Sequence, residues 1–219
     1  MIAERHTTLL YPPANTLVEA TIVSLTAELV EAHMTNGWWN DELLKGCFEE
    51  PPIDRHWNWN AIEIEYDGKV LESEKIAITT GEAEEELQVQ GAMMVSKEPI
   101  ASLLEHGGSC LMLELLFVAP RNRAKLNRDD EPFLQGAGTE LLRWAAWFSR
   151  ELGYEGRLRL DASPGSIGWY TRKRLRKVPA EPIVFEGVPY TPMELAPDAA
   201  QELLADWGGL EPTGGATCV

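Results

Sequence analysis

The sequence predicts an α+β fold, and three observations carry that expectation. Residues 110–118, CLMLELLFV, hold one charge, Glu114, and read as a central strand covered on both faces. Upstream, short stretches alternate apolar and acidic residues between turn signals, as an antiparallel meander does. Downstream, QGAGT opens a segment with helical spacing, after which strands and helices alternate. Nothing in the 219 residues reads as a linker. One domain over residues 1–208 is therefore expected, with 1–109, 110–195 and 196–208 as its successive parts and 209–219 as a loose tail.

Taken in order, Val18, Ile22, Leu25 and Leu29 predict a first helix, with Thr16 and Glu19 as its capping box and Asn36-Gly37 as its stop. The next segment holds Trp38, Trp39, Trp57 and Trp59 around the Pro51-Pro52 break. Tryptophans so dense in irregular sequence either fill core corners or wall a binding cleft. Ile62, Ile64 and Tyr66 alternate with Glu63 and Glu65, and Asp67-Gly68 turns the chain into a second strand over 69–71. Strands are expected at 74–80 and 87–95 about the acidic turn GEAEEE, and a short helix at 99–105 before the central strand.

Beyond that strand, Leu141, Ala145, Phe148 and Leu152 mark the buried stripe of a helix that Gly153 caps. A strand at 157–160, a helix at 164–173, strands at 183–185 and 188–193 about Glu186-Gly187, and a helix at 198–206 complete the chain.

Composition narrows the class. No apolar run is long enough to span a bilayer, and the N-terminal residues lack the apolar core of a secretion signal. Cys47, Cys110 and Cys218 are odd in number and widely spaced, which fits reduced thiols in a cytoplasmic protein. His6, His33, His56 and His106 lack the close spacing of a metal pair, so no metal is expected. The net charge of −16 is uneven: residues 121–180 carry 13 Lys/Arg against 7 Asp/Glu, and the rest carry 6 against 28. A basic segment in an acidic chain suits a phosphorylated ligand and a cationic second substrate, or the acidic remainder simply keeps the protein soluble.

The glycine loop sharpens the first option. Gly136, Ala137, Gly138 and Thr139 at a helix start leave backbone N–H groups facing outward at the positive end of the helix dipole, a cradle for phosphate. A dinucleotide fingerprint fails, because Leu141 takes the third glycine position and residues 121–135 replace the tight turn. No Gly-Lys-Ser/Thr run offers a triphosphate loop.

A strand ending Val118-Ala119-Pro120 with arginine after it, the loop Gly136-Ala137-Gly138, a further strand, and a helix carrying Tyr170 together resemble the acyl-CoA-binding core of the GCN5-related N-acetyltransferase (GNAT) superfamily. The resemblance covers roughly the last half of the chain. Departures are Phe133 where the loop pattern has Gln or Arg, with Gln135 nearby, Ser163 where many members have asparagine, and Arg174-Leu175 after the tyrosine helix. It implies an α/β/α sandwich around a mixed, mostly antiparallel sheet with a splayed parallel pair at the cofactor site. It also implies acetyl-CoA as cosubstrate and a small-molecule or peptide amine as acceptor, with a homodimer as one assembly such members adopt. Phe117, Val118, Gln135, Gly136, Ala137, Gly138, Thr139 and Ser163 would contact the cosubstrate.

For the chemistry, Tyr170 matches the superfamily tyrosine that gives a proton to the departing thiolate, against the plainer reading of a core residue beside Trp169. Glu114 is the candidate base, since a lone carboxylate in an apolar strand costs free energy unless paired or used. A salt bridge would serve Glu114 as well, and a water chain ending on Asp161, Tyr190 or Glu63 could replace it. The basic run 172–177 is a solvated helix end, a holder for the 3′-phosphate of CoA, or a nucleic-acid contact as in a tRNA-directed acetyltransferase toxin. The acidic remainder argues against the last, and no membrane partner is expected. An inactive fold member serving as a regulatory or interaction subunit is the rival from another class.

Overall fold

The structure, a computed structural model, describes residues 4–35, 38, 58–63, 65–66, 69–81, 87–123, 134–205 and 207. Their strands are β1 (Arg5–Tyr11), β2 (Thr16–Ser24), β3 (Glu65–Tyr66), β4 (Lys69–Val70), β5 (Ser73–Thr80), β6 (Gln88–Ala101), β7 (Ser109–Val118), β8 (Leu158–Ala162), β9 (Arg176–Lys177), β10 (Ile183–Phe185) and β11 (Val188–Leu195). The helices are α1 (Ala27–Leu29, continuing as a π-helix over Val30–Thr35), α2 (Ala137–Glu151), α3 (Ile167–Arg172) and α4 (Pro197–Leu204). A nine-stranded sheet runs β1-β2-β5-β6-β7-β8-β11-β10, with β9 also on β11. Every pairing in it is antiparallel except β7 with β8. The fold is thus α+β with a mixed, mostly antiparallel sheet, as expected. No helix of the described residues is long and apolar enough to cross a membrane.

The N-terminus corrects the first expected helix. Residues 5–24 form a hairpin in which Arg5 faces Ile22 and Tyr11 faces Thr16. Thr16, Val18, Thr21, Ile22 and Val23 are β-branched and favour the pleated strand. The buried positions, Ala20 and Ile22, repeat every two residues, which defeats the spacing of 18, 22, 25 and 29. Pro12 and Pro13 start the turn, and Asn15 at φ 50° closes it. The helix begins later, at Thr26, whose Oγ1 accepts from the Leu29 N–H at 3.3 Å.

The second correction is the expected helix at 99–105. β6 runs on to Ala101, and Pro99 lies within its irregularity against β7, between Ser96 and Ile100, where a missing N–H is tolerated. The following N–H groups are claimed by side chains instead of a helical ladder: Leu103 and Leu104 donate to the Glu194 carboxylate, and Glu105 to Ser102 Oγ. Elsewhere the order of elements agrees. β3 and β4 flank Asp67-Gly68, and Gly153, at φ 84°, follows α2.

Two apolar layers cover the sheet. On one face α2 and α4 bury Leu141, Leu142, Trp144 and Ala200 against Ile22, Ile78, Met93, Leu111 and Leu158. Each fully buried large side chain there contributes about 1.5–3 kcal/mol. At Gly91 a Cβ would stand 3.1 Å from Leu141 Cδ1 and from Phe117 O, so a larger residue there would push α2 or β7 back by a few tenths of an ångström. The other face holds Leu25, Val30, Met34, Trp38 and Trp59 over Ala77, Val89 and Ala92. Trp38 and Trp59 are therefore core-corner residues, and the Trp38 Nε1–H donates to Val89 O at 3.0 Å. Trp39, Trp57, Phe133, Cys47, Cys218, the turn at 82–86 and the tail from 208 lie outside the described residues.

Candidate functional site

β7 and β8 start as a parallel pair and then part. Leu111 pairs with Leu158 and Met112 with Arg159, and no further registration joins the two strands although both continue. β6 stays registered with β7 to Val118, and β11 with β8 to Ala162, so the opening lies inside the sheet. A bulge accompanies it: Val95 faces Leu113 and Met94 faces Leu115, which leaves Glu114 as the extra residue. The bulge also shifts the alternation. Leu111 and Leu113 face the α2 layer, and beyond Glu114 the same layer receives Leu116 and Val118.

The result is a cleft of about 1070 Å³. Glu114, Phe117, Val118, Gln135, Gly136, Ala137, Gly138, Thr139, Ser163 and Tyr170 all line it, as do Asp161 and Tyr190, whereas Glu63 is not among its lining residues. Their environments differ.

The glycine loop supplies the cleft's backbone donors. Gly136 is the N-cap of α2 at φ 108°, a conformation that L side chains rarely adopt. The Thr139 and Glu140 N–H groups fold back onto Gly136 O at 2.8 and 2.9 Å. Among the described residues the N–H groups of Gly136, Ala137 and Gly138 have no such partner, and they stand at the helix start where an anion is favoured. Gln135 differs from expectation. Its N–H donates to Leu10 O at 2.8 Å and its carbonyl accepts from Leu10 N–H at 3.0 Å, so its backbone is tied to β1 and only its side chain is left for the cleft. A Cβ on Gly138 would meet Trp169, Val118 and Leu116 at 3.4–3.6 Å, which places that face of the glycine on the cleft floor.

Behind the loop, Glu140 is buried and accepts from Thr7 Oγ1 at 2.7 Å, Arg143 Nη1 at 2.8 Å and Trp207 Nε1 at 2.8 Å. Asn122 closes the other side. Its Nδ2 donates to Gln90 Oε1 at 2.8 Å and its Oδ1 accepts from Leu134 N–H at 2.8 Å, so it joins β6 to the residue before the loop. Sequence reasoning did not pick out Asn122; a lone asparagine in a basic insert gives no signal. Arg123 and Trp169 were not assigned to the site either, and they also line the cleft, as do Tyr190 and, from the basic run read as one possible holder of the 3′-phosphate, Arg172.

Side chains dominate the opposite wall. Burial, reinforced by the Asp161 charge, pushes the Glu114 carboxyl up to about 7. Burial also raises Asp161, which Arg159 partly opposes, and Asp161 Oδ1 is buried without a hydrogen-bond partner. Tyr170 is buried against Trp169, ring centroids 4.9 Å apart and edge to face, and burial holds its phenol protonated far above neutral pH. Phe117 meets Trp59 edge to face at 6.2 Å. Val118 O accepts from Arg123 Nε at 3.0 Å. Ser163 and Ser166 hydroxyls lie 3.0 Å apart at the turn into α3.

The basic run divides. Arg174 pairs with Glu202 at 2.9 Å and Arg176 with Asp198 at 3.5 Å, both on α4, whereas Arg172 lines the cleft. Lys173 sits over the Trp169 ring at 5.8 Å. In the acidic N-terminal half, Glu72 and Glu74 both pair with Lys97.

No family model matches the chain, and no curated protein matches it in sequence. In structure it is similar to the GNAT domain of PAT from S. lividans, at 14% identity over 88% of this chain and 97% of that one, with a TM-score of 0.49. It is similar also to a putative N-acetyltransferase from Lactobacillus plantarum, at 11% identity over 88% of this chain and 97% of that one, TM-score 0.47. A third is the KacTA–DNA complex, at 15% identity over 85% of this chain and 99% of that one, TM-score 0.47.

Proposed function

We propose that the chain is an acyl-CoA-dependent N-acyltransferase that moves an acetyl group from acetyl-CoA to a primary amine. The observation that carries this reading is the open parallel pair, with a helix-start N–H cradle on one wall and a proton-accepting carboxylate at the bulge on the other.

The residues fit the cosubstrate. Gly136, Ala137 and Gly138 offer N–H groups to a pyrophosphate, and Arg172 adds positive charge on the same cleft. The unregistered edge of β7 beyond Met112 can pair with an extended amide arm as with an added strand. Acetyl-CoA supplies an acyl group activated as a thioester. Glu114 takes a proton from the acceptor amine, which its raised proton affinity suits near neutral pH. The Tyr170 hydroxyl, kept protonated by burial, gives a proton to the departing sulfur.

The test is calorimetric titration with acetyl-CoA, followed by assay with a panel of cationic, neutral and anionic amines at low and high salt. Saturable binding that Gly136→Val combined with Gly138→Val abolishes, and turnover with at least one amine, support the reading. A protein that neither binds acetyl-CoA nor acylates any amine refutes it. Binding without turnover leaves a regulatory acyl-CoA-binding role.

A further inference from the structure

Glu114 and Asp161 occupy matching places on the two diverging strands. The last registered pair is Met112 with Arg159, and each carboxylate follows two residues later. Both line the cleft. Among the described residues the buried carboxylates are Glu140 and Glu194, and each accepts three hydrogen bonds from protein groups. Asp161 Oδ1 is as hidden from solvent and accepts none. A buried acceptor left without any donor costs about 1–3 kcal/mol, and Asp161, on the cleft wall, is placed where the cleft can bring one from outside the fold.

We propose that Asp161 makes this cleft specific for cationic amines: its free oxygen holds one N–H of an acceptor arriving as an ammonium ion, while Glu114 accepts the proton that leaves the nitrogen nucleophilic. This deepens the acyltransferase reading and rests on it for the fate of the amine. In the step, one N–H bond of the ammonium breaks, an O–H bond forms on the Glu114 carboxylate, and the electron pair stays on nitrogen. A neutral hydroxyl of the same size can donate to Asp161, yet it brings no charge to offset two carboxylates that line one cleft and feel each other, and an anion is repelled by both.

The surroundings agree. Among the described residues, the other titratable or charged groups at the cleft are Arg123 after β7, Tyr170 and Arg172 from α3, and Tyr190 from β11. Arg123 Nε is directed to Val118 O, and Arg159, beside Asp161 on β8, sends Nη1 to Ala101 O at 3.3 Å. β6 and the described start of α2 present no titratable side chain to the cleft. Burial raises the proton affinity of both carboxyls, and at Glu114 the Asp161 charge adds to it.

The experiment uses the full chain without acyl-CoA. n-Butylammonium chloride and n-butanol are titrated into wild type, Asp161→Asn and Asp161→Glu, and the Glu114 carboxyl is followed by carbon NMR against pH. Wild type should bind the ammonium in preference to the alcohol. Asp161→Asn should weaken ammonium binding by about tenfold or more and move the Glu114 titration to lower pH. Asp161→Glu should restore part of both. Equal binding of ammonium and alcohol by wild type, or an unmoved Glu114 titration in Asp161→Asn, overturns the proposal. If Asp161→Asn fails to fold, the wild-type comparison of the two ligands with Glu114→Gln decides in its place, since loss of either carboxylate should weaken the ammonium. Failure to bind acetyl-CoA would sink the acyltransferase reading while leaving these ligand and titration results to stand.

Discussion

The carboxylates of Glu140 and Glu194 and those of Glu114 and Asp161 sit in one protein under opposite rules. Glu194 is the more buried, 1% exposed, and it is saturated: Ser102 Oγ at 2.9 Å and the N–H groups of Leu103 and Leu104 at 2.7 and 3.2 Å all donate to it. Glu140 is 6% exposed and fixes β1, α2 and Trp207 together. Glu114 and Asp161 are less enclosed and less satisfied. Burial alone therefore does not separate an acid built into the fold from one proposed to take part in the chemistry. What separates them is whether protein donors already meet the charge: Glu140 and Glu194 each have three, whereas burial drives the unmet carboxyls of Glu114 and Asp161 toward their protonated form.

Replacing one acid of each kind breaks or sharpens this contrast. The largest effect should come from Glu114→Gln, which lowers kcat/KM by ~10²-fold or more while leaving the melting temperature at or above that of wild type. Wild-type turnover in that variant would return Glu114 to a structural role. Tyr170→Phe should likewise lower turnover by ~10²-fold with little change in acetyl-CoA affinity, because proton donation matters only in the transition state. A change in affinity without loss of turnover would reassign Tyr170 to binding.

Glu194→Leu should do the reverse. It takes the acceptor from Ser102 Oγ and Leu103 N–H, while Leu104 N–H keeps Ser102 Oγ, and is expected to cost about 2–3 kcal/mol in chemical denaturation, with the pH profile of the surviving activity unaltered. The smallest effect is the pH dependence of stability. Glu114 is raised from 4.5 to about 7 in the folded chain, so its folded form holds a proton that the unfolded chain has lost. Stability from this group is full below about 4.5, falls as pH rises to about 7, and is flat above, a total of about 3 kcal/mol at most. Denaturation of wild type and Glu114→Gln across that window checks it: the two curves should part as pH rises, with the glutamine variant the more stable above pH 7.

How much of this could be read from residues varies with the kind of signal. The central strand and α2 were legible because burial on both faces and a helical stripe are written in side chains. The glycine loop was legible because Gly136 needs its φ of 108°. The N-terminal hairpin was not: its alternation, Ala20 and Ile22 inward, coincides over a few residues with a helical spacing, and only pairing with β1 decides between them. The bulge at Glu114 was hidden for the same reason, as an unbroken apolar run carries no parity to be interrupted. Glu114 could be singled out as the one charge in that run; its neighbour across the opening could not be chosen among other acids, because the divergence of two strands leaves no mark in either. Gln135 shows the opposite failure. The resemblance put it among the cosubstrate contacts, and its backbone is taken by Leu10, a partner far away in the chain.

That two-bond tie between Leu10 and Gln135 has a kinetic side. It joins the first strand of the fold to the loop before α2, and Arg5 strengthens the junction by lying 4.3 Å from the ring centres of both Trp147 and Trp207. A contact of such sequence separation is entropically expensive to close and belongs late in folding, after the β6–β7 pairing and α2 have formed from nearer neighbours. The glycine loop should then acquire its final shape only when the N-terminal hairpin docks. Pulsed hydrogen exchange during refolding would read this directly: the amides of Leu10 and Gln135 should gain protection together and after those of α2, and protection of Gln135 at the same time as the helix would show that the loop organises without its tether.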